Sequence, residues 1–181
     1  MSQARAAGAI ARPWWRWLLL SAAVVAADQA SKAMVESALH VGEQRAITGF
    51  FSIVLAHNAG AAFSLLAEAS GWQRYLFTLI AVVAAVLFVG LLRRGGDRLY
   101  CLSLALMLGG TVGNLVDRLT LGRVVDFLLL HDYLPFDGRL AAQLDPFPAF
   151  NLADSALTAG VVLLLLDSFR PRRGTETGAR R

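Results

Sequence analysis

Four long apolar segments run along this chain of 181 residues, and shorter polar stretches separate them. The segments cover residues 14–35, 75–92, 99–116 and 150–166. The second contains 18 residues without one charged side chain and ends before Arg93 and Arg94. Because a helix needs about 20 mostly apolar residues to cross a bilayer, this pattern predicts an all-α integral membrane protein with four transmembrane helices.

The amino-acid composition also indicates a membrane protein. Hydrophobic residues make up 56% of the chain and charged residues 17%, and the mean hydropathy is +0.55. Soluble domains carry about 25% charged residues, so this chain has too little charge to cover a water-facing surface. We expect one membrane-embedded domain over residues 14–170, preceded by a cytoplasmic extension (1–13) and followed by a basic, disordered cytoplasmic tail (171–181).

The beginning of the first segment has a second interpretation. Arginines, an apolar run and then small residues also resemble a secretory signal that is cleaved. That alternative stays open for this stretch alone. The later apolar segments, together with Asp28 and Lys32, favour a retained helix.

Basic residues cluster at one set of segment ends. Eleven of the 17 lysines and arginines fall before or at the very start of the first segment, between the second and third, or after the fourth. A membrane protein keeps such ends in the cytoplasm, so we expect both termini inside and residues 36–74 and 117–149 outside. The sequence contains no basic patch with interleaved aromatic residues, so it gives no indication of a nucleic-acid partner. The single cysteine, Cys101, allows no disulfide.

The two outer segments differ in composition. In the first, residues 50–55 are mostly aromatic or β-branched, and 58–60 have the composition of a turn. We therefore expect a small extracytoplasmic β-sheet on the membrane surface. The second contains three leucines (128–130) followed by prolines and a glycine, which predicts an irregular, mobile middle.

Ionisable residues inside a membrane span are costly to insert and usually serve a function. Asp28 and Lys32 are four residues apart, so they share one helix face and can pair. A salt bridge that only orients the first helix and a pair that supports an active site are both open.

The third apolar segment ends in polar residues. Gly109 and Gly113 form a small-residue face that allows another helix to approach closely. Asn114 and Arg118 share a face at the outer mouth of the bundle, with Asp117 beside them. Helix packing explains the glycines alone, but the three polar residues together favour a functional site.

Two further aspartates lie near segment ends. Asp126 is bracketed by apolar residues, and Asp154 follows three residues after Asn151, a candidate helix N-cap. If the two carboxylates meet at the outer edge of the bundle, they hold one proton between them because adjacent negative charges repel. The ionised member can take a proton from water while the protonated member polarises a scissile carbonyl. Two separately solvated aspartates remain the alternative.

Other chemistries use the same residues. Asp117, Asp126 and Asp154 could hold Mg²⁺ for phosphoryl transfer, although such enzymes usually carry more closely spaced acidic residues. A transporter or proton-relay protein would use the same buried aspartates for transport. Ser31 and Lys32 are adjacent, point about 100° apart on a helix and form no facing pair. The aspartate pair is the favoured interpretation, and it needs no metal or other cofactor.

Five short blocks carry most of these polar residues. In chain order they are 27–32 (ADQASK), 58–64 (NAGAAFS), 109–118 (GGTVGNLVDR), 125–127 (VDF) and 150–155 (FNLADS). Together they resemble the signature blocks of lipoprotein signal peptidase, the bacterial family also called signal peptidase II. Each block is weak alone, but five in the family's order are specific and extend from the first apolar segment to the fourth.

The resemblance implies a multi-pass aspartic endopeptidase of the bacterial inner membrane, surrounded by membrane lipid and expected as a monomer. The implied substrate is a diacylglyceryl-modified prolipoprotein, cleaved just before its lipidated lipobox cysteine, and the implied inhibitor is the cyclic peptide globomycin. By motif match, Asp126 and Asp154 take the catalytic positions. Supporting or substrate-binding positions are matched by Asp28, Lys32, Asn58, Gly60, Asn114, Arg118 and Asn151.

The resemblance also implies a fold, and this sequence departs from the family pattern in one place. Four spans, a small surface sheet and a half-embedded surface helix are expected. The stretch 131–145 is longer than is typical of the family and is expected to extend the loop over the site.

Overall fold

The structure is a computed structural model that describes residues 13–59, 71–132 and 145–169. Its helices are α1 (Trp15–Ala38), α2 (Gln73–Arg94), α3 (Arg98–Thr120) and α4 (Leu152–Ser168). Its strands are β1 (Gln44–Ala46), β2 (Phe51–Asn58) and β3 (Val124–Leu130). β1 and β2 follow α1, and β3 lies between α3 and α4 in the chain.

Three of the four helices are long and apolar enough to cross a membrane. The most apolar windows of α1, α2 and α3 have mean hydropathies of 1.3, 2.7 and 1.7. α4 has 17 residues, slightly fewer than the roughly 20 that a span needs. Helices suited to the first three predicted spans are therefore present, and the fourth span stays a prediction.

α3 lies at the centre of the helix bundle, and α1, α2 and α4 each pack against it. Its glycines permit this packing. A Cβ on Gly110 would overlap the backbone carbonyl of Ala153 in α4, and one on Gly113 would lie 2.8 Å from Oδ2 of Asp28 in α1. The predicted small-residue face therefore lets α1, α3 and α4 meet at the level of the polar residues.

The three strands form one antiparallel sheet in the order β1-β2-β3. This confirms the predicted small sheet, but the sheet is larger than expected. Residues 128–130, expected in an irregular loop, form the end of β3 and pair with β2. Val125 is buried in β3 against Leu39 and Leu55, so apolar packing against α1 and β2 accounts for the third strand.

Phe150, just before α4, is tied to β3. Its carbonyl accepts hydrogen bonds from the backbone amides of Phe127 (2.9 Å) and Leu128 (2.8 Å), and its own amide donates to the carbonyl of Leu128 at 3.0 Å. This bridge fixes the beginning of α4 beside the middle of β3. Gly60, most of the stretch 131–145 and the two chain ends lie outside the described residues, and the expected surface helix is not among the helices of the described part.

Candidate active site

Asp126 lies in the middle of β3, opposite Ala56 of β2. Asp126 is only 2% exposed, and both of its carboxylate oxygens accept hydrogen bonds from side-chain amides. Oδ1 accepts from Asn151 Nδ2 at 2.8 Å, and Oδ2 accepts from Asn58 Nδ2 at 3.1 Å. From the sequence, Asp126 was expected only near the end of an apolar segment. The structure places it in a strand, because residues 124–130 pair with β2.

Asp154 lies in the first turn of α4 and is half-buried. Its Oδ1 accepts a hydrogen bond from Asn114 Nδ2 at 2.7 Å, and its Oδ2 accepts from the backbone amide of Asn151 at 3.2 Å. In return, its own amide donates to Oδ1 of Asn151 at 2.9 Å. This reciprocal pair is a capping box, so the prediction that Asn151 is the N-cap of the fourth helix is confirmed.

Asn151 joins the two aspartates. It is fully buried at 0% exposure. Its side-chain nitrogen donates to Asp126, while its backbone amide donates to Asp154. Since one residue contacts both carboxylates, β3 and the beginning of α4 present them to a common space.

Two causes raise the pKa of Asp126 from its ordinary value of 3.8 to about 7. Burial is the larger cause, because a charged carboxylate loses hydration inside the protein. The negative charge of Asp154 is the second, and hydrogen bonds from Asn58 and Asn151 act in the opposite direction. Two carboxylates that interact in this way favour a shared state with one proton.

A buried ionic cluster supports the pair from α1 and α3. Nζ of Lys32 lies 2.8 Å from Oδ2 of Asp28 and 2.8 Å from Oδ2 of Asp117, and it donates to Oδ1 of Asn114 at 3.1 Å. Nε2 of Gln29 donates to Oδ1 of Asp117 at 2.7 Å. The predicted pairing of Asp28 with Lys32 is confirmed, and the pair extends into a larger network.

The two carboxylates of this cluster each hold the backbone beside a candidate catalytic residue. Oδ1 of Asp28 accepts from the amide of Ala153 at 2.9 Å, one residue before Asp154. Oδ2 of Asp117 accepts from the amide of Val125 at 3.1 Å, one residue before Asp126. The cluster therefore sets the positions of α4 and β3 relative to α1 and α3.

Asp117 and Gln29 were not among the site residues predicted from the sequence. Asp117 was grouped with Asn114 and Arg118 as favouring a functional site and was named as an alternative metal ligand, but it was given no supporting role, and Gln29 appeared only within the first sequence block. One signal was available, because Asp117 follows Asn114 by three residues and so shares its helix face. Nothing comparable indicated Gln29, because two of its three partners, the carbonyl of Gly113 and Asp117, lie on α3.

Arg118 lies at the edge of the site. Its Nη1 donates to the carbonyl of Asn114 at 3.4 Å, and its guanidinium carbon lies 5.8 Å from the centre of the Phe77 ring. The charges of Asp154 and Asp126 both act on this guanidinium. Every predicted site residue that the structure describes is therefore at or beside the aspartate pair, and Gly60 alone lies outside the described residues.

An apolar cavity of about 800 Å³ opens beside Asp154. Its wall includes Leu130, Phe147, Phe150 and Thr158. The rings of Phe147 and Phe150 meet edge to face, with centroids 5.9 Å apart. The site therefore combines one carboxylate edge with a mostly hydrophobic wall, which suits an apolar peptide segment.

A second arrangement on the sheet has the order of a hydrolase triad. Ser52 Oγ lies 2.8 Å from Nε2 of His131, whose Nδ1 lies 2.9 Å from Oδ2 of Asp132. However, Ser52 is 0% exposed, and its Oγ accepts a further hydrogen bond from Gln44 at 2.9 Å. A buried hydroxyl with this role cannot reach a substrate, so we interpret the group as a structural bridge between β1, β2 and the end of β3.

The metal-site alternative has little support in the arrangement of side chains. Across 13–59, 71–132 and 145–169, no three histidine, cysteine or acidic side chains are grouped as ligands of one ion. Asp117 contacts Lys32 and Gln29, whereas Asp126 and Asp154 accept from asparagine amides. These carboxylate oxygens face nitrogen donors.

Comparisons with known proteins agree with the sequence blocks. A family model described as Signal peptidase (SPase) II matches residues 20–170. A lipoprotein signal peptidase of Paraburkholderia phytofirmans is 46% identical over 160 residues, which cover 88% of this chain and 87% of the relative. One from Pseudomonas syringae pv. tomato is 49% identical over 164 residues, covering 89% and 90%.

A solved structure shares the fold. It is described as a bacterial membrane enzyme determined by the in meso method at 1.9 Å resolution. The two chains superpose with a TM-score of 0.71 at 25% identity, over 86% of this chain and 93% of the other. The family model and the close relatives together show that this chain belongs to the signal peptidase II family.

Proposed function

We propose that this protein is an aspartic endopeptidase that removes the signal peptide from diacylglyceryl-modified prolipoproteins, with Asp126 and Asp154 as its catalytic pair. One observation carries the proposal. A single buried residue, Asn151, contacts both carboxylates beside an apolar cavity. Membership of the signal peptidase II family supports the substrate class, and the resemblance of the sequence blocks suggests cleavage just before the lipidated cysteine.

In the proposed mechanism, Asp126 holds the shared proton and Asp154 is ionised. Burial favours the neutral form of Asp126. Asp154 accepts hydrogen bonds from Asn114 and from the backbone of Asn151, which stabilise its negative charge. Asp154 takes a proton from water, whose oxygen attacks the scissile carbonyl carbon, while Asp126 donates a hydrogen bond to the carbonyl oxygen. The tetrahedral intermediate then collapses: the C–N bond breaks as the leaving nitrogen receives the proton that Asp154 took from water, so Asp154 is ionised again and Asp126 keeps its proton.

The membrane explains where this reaction takes place. The basic ends of the apolar segments support a topology with both termini in the cytoplasm. In that topology the sheet and the aspartate pair lie at the outer face of the inner membrane. The acyl chains of the substrate stay in the bilayer, and the apolar cavity beside Asp154 accepts signal-peptide residues before the scissile bond.

Cleavage of a purified diacylglyceryl-prolipoprotein, followed by its gel shift, tests the proposal. We expect cleavage by the purified full chain, inhibition by globomycin and no effect of EDTA. The same prolipoprotein without the diacylglyceryl group is the control and should be cleaved much more slowly. Loss of cleavage in EDTA would indicate a metal-dependent enzyme, and failure to cleave the lipidated substrate would contradict the proposed activity.

The pH dependence of cleavage follows from the raised pKa of Asp126, which is about 7. A carboxyl group with this pKa keeps its proton below pH 7 and loses it as the pH rises. We therefore expect kcat/KM to fall above neutral pH, by about tenfold per pH unit for one essential proton. The measurement is the cleavage rate at low substrate concentration across the pH range, and thermal unfolding at each pH checks that the protein remains folded. A profile that stays level to alkaline pH would show that the mechanism does not need this proton.

A further inference from the structure

A groove separate from the aspartate pair is lined by residues of α1, α2 and α3, with none from β3 or α4 among its described lining residues. It runs between α1 and α2, with α3 as its floor, and has a volume of about 800 Å³. Leu18, Ala22 and Ala26 line one side, and Val86, Gly90 and Arg93 line the other. α1 and α2 each pack against α3, and the groove is the space left between them.

Small side chains keep this groove open. A Cβ built on Gly90 meets no atom within 4 Å, so a side chain there would project into empty space. Ala22 and Ala26 lie one helical turn apart on the facing side of α1. Along α2, the eight helical steps from Ala85 to Arg93 give the groove a length of about 12 Å. This length approaches half of the roughly 30 Å hydrocarbon core of a bilayer.

Arg93 stands at one end of the groove and is the one charged residue among the described residues that line it. Its guanidinium carbon lies 5.8 Å from the centre of the Trp14 ring. Arg94 follows directly, and Arg16 lies near the same end of the bundle, at the beginning of α1. An apolar slot that ends at a cation matches an acyl chain that ends at an anion.

We propose that the groove binds a phospholipid with an anionic headgroup, with one acyl chain along α2 and its phosphate at Arg93. Basic pockets between transmembrane helices bind anionic headgroups in this way. Charge disfavours two other occupants. The basic N-terminal region of a signal peptide would meet Arg93 and Arg94. A second copy related by a two-fold axis along the membrane normal would bring its own Arg93 to the same depth.

Native mass spectrometry of the full chain in detergent tests the proposal. The chain is titrated with phosphatidylglycerol or with phosphatidylcholine of the same acyl chains, without any prolipoprotein. We expect phosphatidylglycerol adducts to exceed phosphatidylcholine adducts about fivefold, the effect of one cationic residue at an anionic group. Arg93→Gln should remove that preference, and the matched variant Arg94→Gln should retain most of it because Arg94 does not line the groove.

A second variant separates the groove from the charge. Gly90→Leu should fill the space and reduce adducts of both lipids, whereas Val83→Leu, on a part of α2 that does not line the groove, should leave them unchanged. Equal adducts of the two lipids in the unmodified chain would overturn the proposal. So would a dimer that Gly90→Leu abolishes, or a raised KM for prolipoprotein in Gly90→Leu with lipid adducts unchanged, because these results assign the groove to another occupant.

Discussion

Replacing Asp126 or Asp154 with asparagine is expected to abolish prolipoprotein cleavage while the protein still folds. Asparagine has nearly the same shape, but it neither takes a proton from water nor donates one as a carboxylic acid does. The rate should therefore fall by ~10³-fold or more, the scale for losing a general acid or base that acts within a catalytic unit. Each variant would be measured by gel shift of the purified lipid-modified substrate, with thermal unfolding to confirm the fold.

The aspartate pair also predicts how the two changes combine. In the proposed mechanism both carboxylates act on one water and one carbonyl, so the double variant should be little slower than either single variant. Asp132→Asn is the matched control, because this outer aspartate has an 82% exposed side chain and contacts His131. It should cleave at nearly the unmodified rate. Retained processing by Asp126→Asn or Asp154→Asn would remove that residue from the catalytic pair.

The helices could be predicted from the sequence because the bilayer imposes both a length and an apolar character. The uncharged run 75–92 lies within α2 (Gln73–Arg94). Asn151 is the N-cap of α4, as predicted from the preference of asparagine for that position. The predicted end of the third helix was less accurate. The apolar run stopped at residue 116, but α3 continues to Thr120, since Asp117 turns into the bundle and is satisfied there by Lys32 and Gln29.

The third strand could not be predicted from local pattern. A half-buried strand alternates apolar and polar residues, but residues 124–130 are nearly all apolar, which is equally typical of a buried helix segment. Val124 through Phe127 are all buried, because β3 contacts α1 and α3 as well as β2. The pairing of Asp126 with Ala56 therefore arises from long-range packing that the sequence pattern does not encode.

Most members of the candidate site were predicted from the sequence, but their connections were not. Family blocks and membrane cost selected Asp126, Asp154 and the asparagines. The contacts that join them link residues far apart in the chain, such as Gln29 with Asp117, which are 88 positions apart. Such partners are found only once α1 and α3 are packed together. Asp117 thus emerges as a positioning residue, because it holds the backbone amide next to Asp126.

Lys32→Met is expected to have the largest effect on stability. Lys32, Asp28 and Asp117 have side chains no more than 3% exposed, and the one cation lies 2.8 Å from an oxygen of each carboxylate. Without the Lys32 ammonium group, the two buried carboxylates lie close together with no positive charge to balance them. Removing one partner of a buried ion pair typically costs about 3–5 kcal/mol. The measurement is thermal unfolding in detergent, and cleavage should fall in parallel, since this cluster holds the backbone beside both proposed catalytic aspartates.

Two further variants show whether buried charge is the cause. Arg45→Met is the matched control, because Arg45 pairs with Glu43 at 3.0 Å in an exposed ion pair, and such pairs contribute about 0–1 kcal/mol. Lys32→Met alone changes the net charge of the cluster from −1 to −2. The double variant Lys32→Met/Asp117→Asn removes one carboxylate and so returns the net charge to −1, as in the unmodified protein. It should therefore be more stable than Lys32→Met alone, a non-additive result expected for residues in one network. If Lys32→Met unfolds no earlier than Arg45→Met, or if adding Asp117→Asn lowers stability further, the cluster does not stabilise the bundle through its charge balance.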